Sequence, residues 1–286
     1  MSITTPTIAA AYEPHGPTST VRAARSAFRA LLLRDVVVLG KSLKQFIPRT
    51  VIQPFLLVFV FTYVFPKIGN GPTGEAGSIF ATTLVAGVLG LSIMFQGIQA
   101  VALPLVQEFG YTREIEDRVL APIPVGLVAF EKVVSGAIQG LIAALIVFPI
   151  AAVVPAERVH LQIDWPVLLT VAPLAAITCS SLGLWFGTKF DPRTVPMLFG
   201  IVVLPLTFLG CTYYSWTTLT PIKIGDFSWL KMLVLVNPLV YVSEGFRAAV
   251  TTNDHMSLVA VYAALVGFSA LFLWQGINGF KRRVIS

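Results

Sequence analysis

The densest group of charged residues in the sequence lies between residues 107 and 131. Acidic, basic and aromatic side chains are intermixed there, and the charged and aromatic residues of interest are Glu108, Tyr111, Arg113, Glu114, Glu116, Asp117 and Arg118. A mixed charged and aromatic surface suits docking to another protein, whereas a charge run is more commonly a solvated face. We interpret these residues as a candidate docking surface, with a solvated connecting loop as the alternative.

A second set of chemically capable residues consists of amides and hydroxyls inside long apolar stretches. Three of them share one helical face and two stand in other apolar stretches: Ser92, Gln96 and Gln99, then Gln53 and Gln139. A polar side chain in a membrane helix usually faces the interior of the bundle. These five residues are candidates for lining a path through the protein, and hydrogen bonding between packed helices is the plainer interpretation. The GxxxG pairs at 136–140 and 183–187 predict close helix packing.

A third set follows a break in an apolar segment at residues 227–242. About ten apolar residues before the break are too few to cross a bilayer, which predicts a re-entrant or interfacial hairpin. Asn237 resists the helical region because Pro238 follows it, so we expect a helix to begin at this dipeptide. Glu244 and Arg247, three residues apart, are expected to pair on that short helix at the outer membrane surface.

Several kinds of chemistry have no residues to perform them. Cys179 and Cys211 lie in apolar runs without CxxC or Cys/His spacing, which argues against a metal or disulfide framework. The sequence has no GxxxxGK[ST] loop for ATP, and its apolar runs hold no catalytic pair. Their interiors also lack the ionisable residues that proton-driven carriers need, since Glu131 and Lys132 stand at an edge where they can snorkel. The chain is therefore expected not to be an enzyme, to hold no cofactor, and to take energy for any uphill movement from a partner.

The composition is that of a membrane protein. Of the 286 residues, 56% are hydrophobic and only 12% are charged, with a mean hydropathy of +0.81, against about 25% charged in soluble domains. Long unbroken apolar runs select helices rather than a barrel. The sequence predicts an all-α integral membrane fold of six transmembrane helices, at residues 47–65, 78–106, 132–154, 165–188, 195–214 and 257–279.

The predicted domain organisation follows from these spans. Residues 1–20 are polar and Thr/Pro-rich and are expected to be disordered. Residues 21–46 combine helical apolar spacing with six cations, which predicts an amphipathic helix in the membrane interface. A six-helix membrane domain at 47–280 and a basic tail at 281–286 complete the chain.

The distribution of Lys and Arg predicts the orientation. The net charge of +6 arises mainly at membrane flanks, so nucleic acid is not an expected partner. One side of the predicted topology collects many more cations than the other, which places both termini and the 107–131 loop in the cytoplasm. Tyr213, Tyr214 and Trp216 then form an outer aromatic belt. We predict a multi-pass protein of the cell (inner) membrane.

Two motifs resemble those of a known family. Residues 114–124, EIEDRVLAPIP, followed by Glu131-Lys132, look like the motif of ATP-binding-cassette type-2 permeases, of which the daunorubicin-resistance drug exporters are the nearest. Residues 237–247, NPLVYVSEGFR, are similar to that family's segment before the last span. The resemblance covers nearly the whole chain, from the amphipathic start to the outer hairpin.

The resemblance implies a permease subunit of an exporter. Such a permease forms a homodimer, or a heterodimer with a related permease, and docks a separate ATPase that binds ATP and magnesium. The amphipathic helix and the charged loop from Glu108 to Arg118 would contact the ATPase. The implied cargo is an amphipathic drug, lipid or secondary metabolite. A polysaccharide or lipid-linked glycan is the alternative cargo, and a non-transporting membrane scaffold is the alternative of another class.

Overall fold

The computed structural model describes residues 17–112, 124–191, 194–224 and 227–285, which form an all-helical membrane protein. The long helices are α1 (Pro17–Lys41), α2 (Leu43–Lys67, with a π-helical turn at Val60–Val64), α3 (Gly74–Gln107, continued by a π-helical turn at Glu108–Thr112), α4 (Val125–Val153) and α5 (Trp165–Lys189). The remaining ones are α6 (Val195–Leu198, Phe199–Val203 and Leu204–Phe208, end to end), α7 (Trp229–Val236), α8 (Pro238–Val250) and α9 (Leu258–Ile285).

Helix α3 is the centre of the bundle. Its most apolar stretch is 72% buried inside the protein, compared with 22% for α2 and 11% for α9. It packs against α4 on one side, α5 on another, and α2 and α8 on the remaining faces. Small residues along α3 leave room for these neighbours, because a membrane helix can approach another closely only where side chains are small.

The two GxxxG pairs pack against α3, as predicted. A Cβ on Gly183 of α5 would lie 2.7 Å from the carbonyl oxygen of Ile98, and a Cβ on Gly136 of α4 would lie 2.4 Å from a methyl group of Val101. Gly140 and Gly187 are also close to α3. The glycines therefore set the spacing between helices within one chain.

Helices α2 and α9 lie at the edge of the bundle and expose large apolar side chains. Ile52 and Leu56 of α2 are half exposed or more, and Val259 and Trp274 of α9 are exposed to 80% and 66%. In a membrane these faces meet lipid or another membrane protein. The peripheral position of α2 leaves the groove described below open along one side.

Five of the six predicted spans have a matching long apolar helix, but the predicted fifth span at residues 195–214 does not. Among the described residues, five helices are long and apolar enough to cross a membrane, and six if α7 and α8 count as one. Helix α6 ends at Phe208 and extends about 21 Å at 1.5 Å per residue, less than the hydrocarbon thickness of about 30 Å. Residues 209–215 form a buried loop instead of continuing it. Helices α7 and α8 meet at 98° across Asn237, so the predicted break in this segment is present, and the pair is either one broken span or a re-entrant hairpin.

The ends of the chain differ from the predicted boundaries. Residues 1–16 of the predicted tail lie outside the described residues, and the last four residues of that segment are already helical. The predicted amphipathic helix at 21–46 is divided at Ser42, so that its end, including the buried Phe46, belongs to α2. Residues 281–285 of the predicted basic tail continue α9 as a helix.

Replacing Gly183 should destabilise the bundle. Gly183→Leu puts a side chain against the main chain of α3, which cannot rotate away, so we expect a loss at or above the usual overpacking cost of about 1–3 kcal/mol. Thermal unfolding of the purified protein in detergent measures this. Gly267→Leu in α9 is the matched control, because no atom lies within 4 Å of its Cβ position. Equal unfolding temperatures for the two variants would contradict the packing described here.

Candidate functional site

A chain of hydrogen bonds joins α2, α3 and α4 inside the bundle. The hydroxyl of Thr50 donates to Gln96 Oε1 at 3.4 Å, and Gln96 Nε2 donates to Gln139 Oε1 at 3.3 Å. Arg49 Nε donates to Gln99 Oε1 at 3.1 Å, and its Nη2 donates to the same oxygen. Thr50 and Gln96 are buried, whereas Arg49 is exposed at the side of the bundle. The bonds tie the peripheral α2 to the central helix.

These residues line an open groove between α2 and α3, which we call the polar groove. Its volume is about 280 Å³, and its walls come from Leu39, Ser42, Gln45, Phe46, Arg49, Gln96, Gln99, Ala100, Leu103, Pro104, Gln107 and Gln139. A smaller pocket of about 30 Å³ adjoins it, sharing Arg49, Gln96 and Gln99 and adding Gln53 and Ser92. The structure thus brings together all five residues predicted to line a path.

The sequence analysis missed Arg49 and Thr50 as members of this site. The Lys and Arg distribution counts Arg49 among the cations at the membrane flank, but it lies within α2 and lines the groove. A signal was present, since Gln45, Arg49 and Gln53 recur every four residues and therefore share one face of the helix. A polar face of this kind needs polar partners inside a membrane.

A second cluster of charges lies where α3 ends and α4 begins. Lys132 Nζ is 2.7 Å from Glu108 Oε1 and 3.8 Å from Asp35 Oδ2 of α1, and Glu131 beside it is fully buried. Lys132 is only 4% exposed, so the prediction that Glu131 and Lys132 snorkel towards water at a helix edge is wrong. Helix α4 begins at Val125, seven residues earlier than the predicted span, which carries both residues into the bundle. The cluster fixes α1 against the start of the charged loop.

The charged loop itself is described only at its beginning. Glu108 is 4% exposed and bonded to Lys132, so its carboxylate is held inside the chain, and Tyr111 lies in the π-helical turn at Glu108–Thr112. The ring of Phe109 packs edge-on against the ring of Phe280 in α9, and the two ring centroids are 5.6 Å apart. Five of the predicted docking residues lie outside the described part of the chain: Arg113, Glu114, Glu116, Asp117 and Arg118. The first residues of the loop, which form its root, therefore contact both α4 and α9.

The pairing of Glu244 with Arg247 is confirmed, and its position at the outer membrane surface stays a prediction. Their side chains are 2.5 Å apart and fully buried in α8. Asn237 caps this helix, its side chain accepting from the backbone N–H of Leu239 at 2.9 Å, so the helix begins at Pro238 as predicted. The pair lies against α3 and α5 because α8 packs on both of them.

The buried pair organises the loops around it. Glu244 accepts from the backbone N–H groups of Trp216 at 2.7 Å and Met256 at 2.8 Å, and Arg247 donates to the carbonyl of Cys211 at 3.0 Å. Cys211 has a positive φ of 53°, which turns the loop sharply after α6. A Cβ on Gly87 would lie 2.0 Å from the carbonyl oxygen of Thr212, so only glycine lets this loop cross α3.

The three residues of the predicted outer aromatic belt make contacts within the chain. Trp216 donates its indole N–H to the carbonyl of Lys231 at 3.1 Å, and the ammonium group of Lys231 lies 4.1 Å from the centre of its ring. Tyr214 donates to the carbonyl of Phe208 at 2.9 Å, and Tyr213 packs on Phe61. These aromatic residues hold the loop after α6 through their contacts within the chain.

A polytopic helical fold, with a polar groove opening beside its central helix, is that of an integral membrane protein. Residues 26–251 match the family model for the ABC-2 type transporter, and the chain belongs to that family. It is 27% identical over 230 residues to the inner membrane transport permease YadH of Escherichia coli strain K12, covering 78% of this chain and 84% of that protein. The inner membrane transport permease YadH of Shigella flexneri matches with the same identity and coverage.

Breaking the buried pair should destabilise the fold. Glu244→Ala leaves the Arg247 guanidinium buried without its carboxylate, and losing one partner of a buried pair costs about 3–5 kcal/mol. We expect a large fall in the unfolding temperature in detergent.

Ser243→Ala is the matched control for this experiment. Ser243 is equally buried in α8, and its hydroxyl makes no hydrogen bond to another described residue, so its removal should change stability little. An unfolding temperature of Glu244→Ala equal to that of the control would show that the pair does not hold the loops.

Proposed function

We propose that this chain is the transmembrane permease subunit of an ATP-binding-cassette exporter. It moves an amphipathic drug, lipid or secondary metabolite out of the cell with energy from ATP hydrolysed by a separate ATPase subunit. The observation that carries the proposal is the polar groove, in which Arg49, Gln96 and Gln99 face an open volume beside the central helix. Membership of the ABC-2 type transporter family supports it.

The energy source follows from the polar groups available. Proton-driven carriers need titratable groups along the path, and none of the described residues lining the groove is a carboxylate or a histidine. Glu244 is buried in α8, where Arg247 and backbone N–H groups already bind it. ATP and magnesium would bind to the partner subunit, so this chain would need no cofactor.

The charged loop and α1 are the proposed docking site for the ATPase. Tyr111, Arg113, Glu114, Glu116, Asp117 and Arg118 would supply its contacts. Glu108, Lys132 and Asp35 would transmit movement instead, since they join the root of the loop to α1 and α4 in one buried cluster. The buried contact of Phe109 with Phe280 would carry the same movement to α9.

The proposed assembly contains two permease chains in the inner membrane. The exposed apolar faces of α2 and α9 would meet lipid or a second permease, which is either another copy of this chain or a related one. Both termini and the charged loop would lie in the cytoplasm, in keeping with the excess of Lys and Arg on that side.

A polysaccharide or lipid-linked glycan is a second candidate cargo. The glutamines of the groove favour it, because amides can both donate to and accept from sugar hydroxyls. A non-transporting scaffold is a weaker account, since a scaffold has no use for an open polar groove inside its helices.

The docking site can be tested by charge reversal. Single surface ion pairs are worth only about 0–1 kcal/mol, but like charges facing each other at an interface cost several kcal/mol. The triple change Glu114→Lys, Glu116→Lys, Asp117→Lys should therefore detach the ATPase and abolish export. Co-purification of the two subunits and an efflux assay measure both effects.

Glu75→Lys is the control, since Glu75 is an exposed carboxylate at the opposite end of α3. It should leave ATPase binding intact. A triple variant that inserts stably, binds the ATPase and exports normally would show that the loop is a solvated connector.

A further inference from the structure

The polar groove has an unbalanced set of hydrogen-bonding groups. The side-chain oxygens of Gln96, Gln99 and Gln139 already accept hydrogen bonds from Thr50, Arg49 and Gln96, respectively. The Nε2 amides of Gln99 and Gln139 and the Nη1 group of Arg49 make no hydrogen bond to another described residue. On these residues the groups left over for a ligand are N–H donors, while Gln45, also in the lining, presents both an amide oxygen and an amide N–H.

The net charge of the groove lining is positive and so also favours an anionic ligand. Arg49 is the one charged residue among the described residues that line it, and its partner Gln99 is neutral, so the positive charge is not cancelled there. A guanidinium whose positive charge is not cancelled attracts anions.

One part of the groove lining is apolar. Leu39, Phe46, Ala100, Leu103 and Pro104 line it, and the exposed apolar face of α2 continues towards lipid at Ile52 and Leu56. A ligand with a polar head and a hydrocarbon tail could place its head against Arg49 and keep its tail in apolar surroundings. The volume of about 280 Å³ holds a head group rather than a whole drug-sized molecule.

We infer that the cargo of this permease is an anionic amphiphile, whose phosphate or carboxylate head binds Arg49 and the amides of Gln99 and Gln139. The inference rests on the proposed function and narrows its cargo. Guanidinium groups bind phosphate and carboxylate through paired, charge-assisted hydrogen bonds. A cationic amphiphile meets repulsion from Arg49 and finds no described carboxylate in the groove to offset it.

The test is direct binding to the full-length permease in nanodiscs of zwitterionic lipid. The probes share one fluorescent dodecyl tail and differ only in their heads: phosphate, carboxylate, phosphocholine and trimethylammonium. The two anionic probes should bind at least about tenfold more tightly than the trimethylammonium probe, as expected for one charge-assisted contact. Comparing phosphate with carboxylate shows which acid the groove prefers.

Three variants assign the effect to Arg49. Arg49→Gln should remove the preference for the anionic heads, and Arg49→Lys should retain most of it because the charge remains. Lys44→Gln is the matched control, since it removes the same charge from an exposed residue of α2 that does not line the groove. Thermal unfolding of each variant shows that it is folded.

Two results would overturn the inference. The first is equal or tighter binding of the trimethylammonium probe, and the second is an unchanged anion preference in a folded Arg49→Gln variant. Neither result would contradict the proposed function, which is tested separately by ATP-dependent transport in the complete complex. Anion binding without ATP-dependent transport would support the groove assignment while contradicting the exporter.

Discussion

The close packing of neighbouring helices against α3 is the constraint on which the rest of the structure depends. In hydrocarbon there is no hydrophobic driving force between helices, so their association relies on close contact and hydrogen bonds. Gly183 provides that contact in α5, and Gly136 provides it in α4. Since α3 also carries Gln96, Gln99 and Glu108, its position fixes both the polar groove and the charged cluster at its end.

The same helix links two functional regions that lie at different depths. Gln99 faces the groove, and Glu108, nine residues later, binds Lys132 beside α1. Nine residues of straight helix cover about 14 Å. A rigid movement of α3 over this distance would displace both the groove and the charged cluster. The buried contacts of Thr50 with Gln96 and of Lys132 with Glu108 make such a movement discrete, because breaking either leaves a buried polar group without that partner.

Sequence alone predicted the features that depend on local pattern. Apolar run length gave the membrane fold, and the rule for residues before proline gave the start of α8 at Pro238. The burial of Arg247 was not predictable, because its partner Cys211 lies 36 residues away and no spacing rule connects them. The predicted fifth span included residues 209–214 because hydropathy cannot distinguish a buried loop from a helix. Arg49 was assigned to the membrane flank because a cation near a helix end usually belongs there.

The central claim is that ATP hydrolysed by a separate subunit drives transport through this chain. Co-reconstitution of the permease with its ATPase in liposomes allows the two energy sources to be separated, with an efflux substrate followed by fluorescence. With ATP held constant, export should persist after an uncoupler collapses the proton gradient, and it should stop when the ATPase carries a hydrolysis-deficient site. Export that stops with the uncoupler while ATP remains would contradict the account.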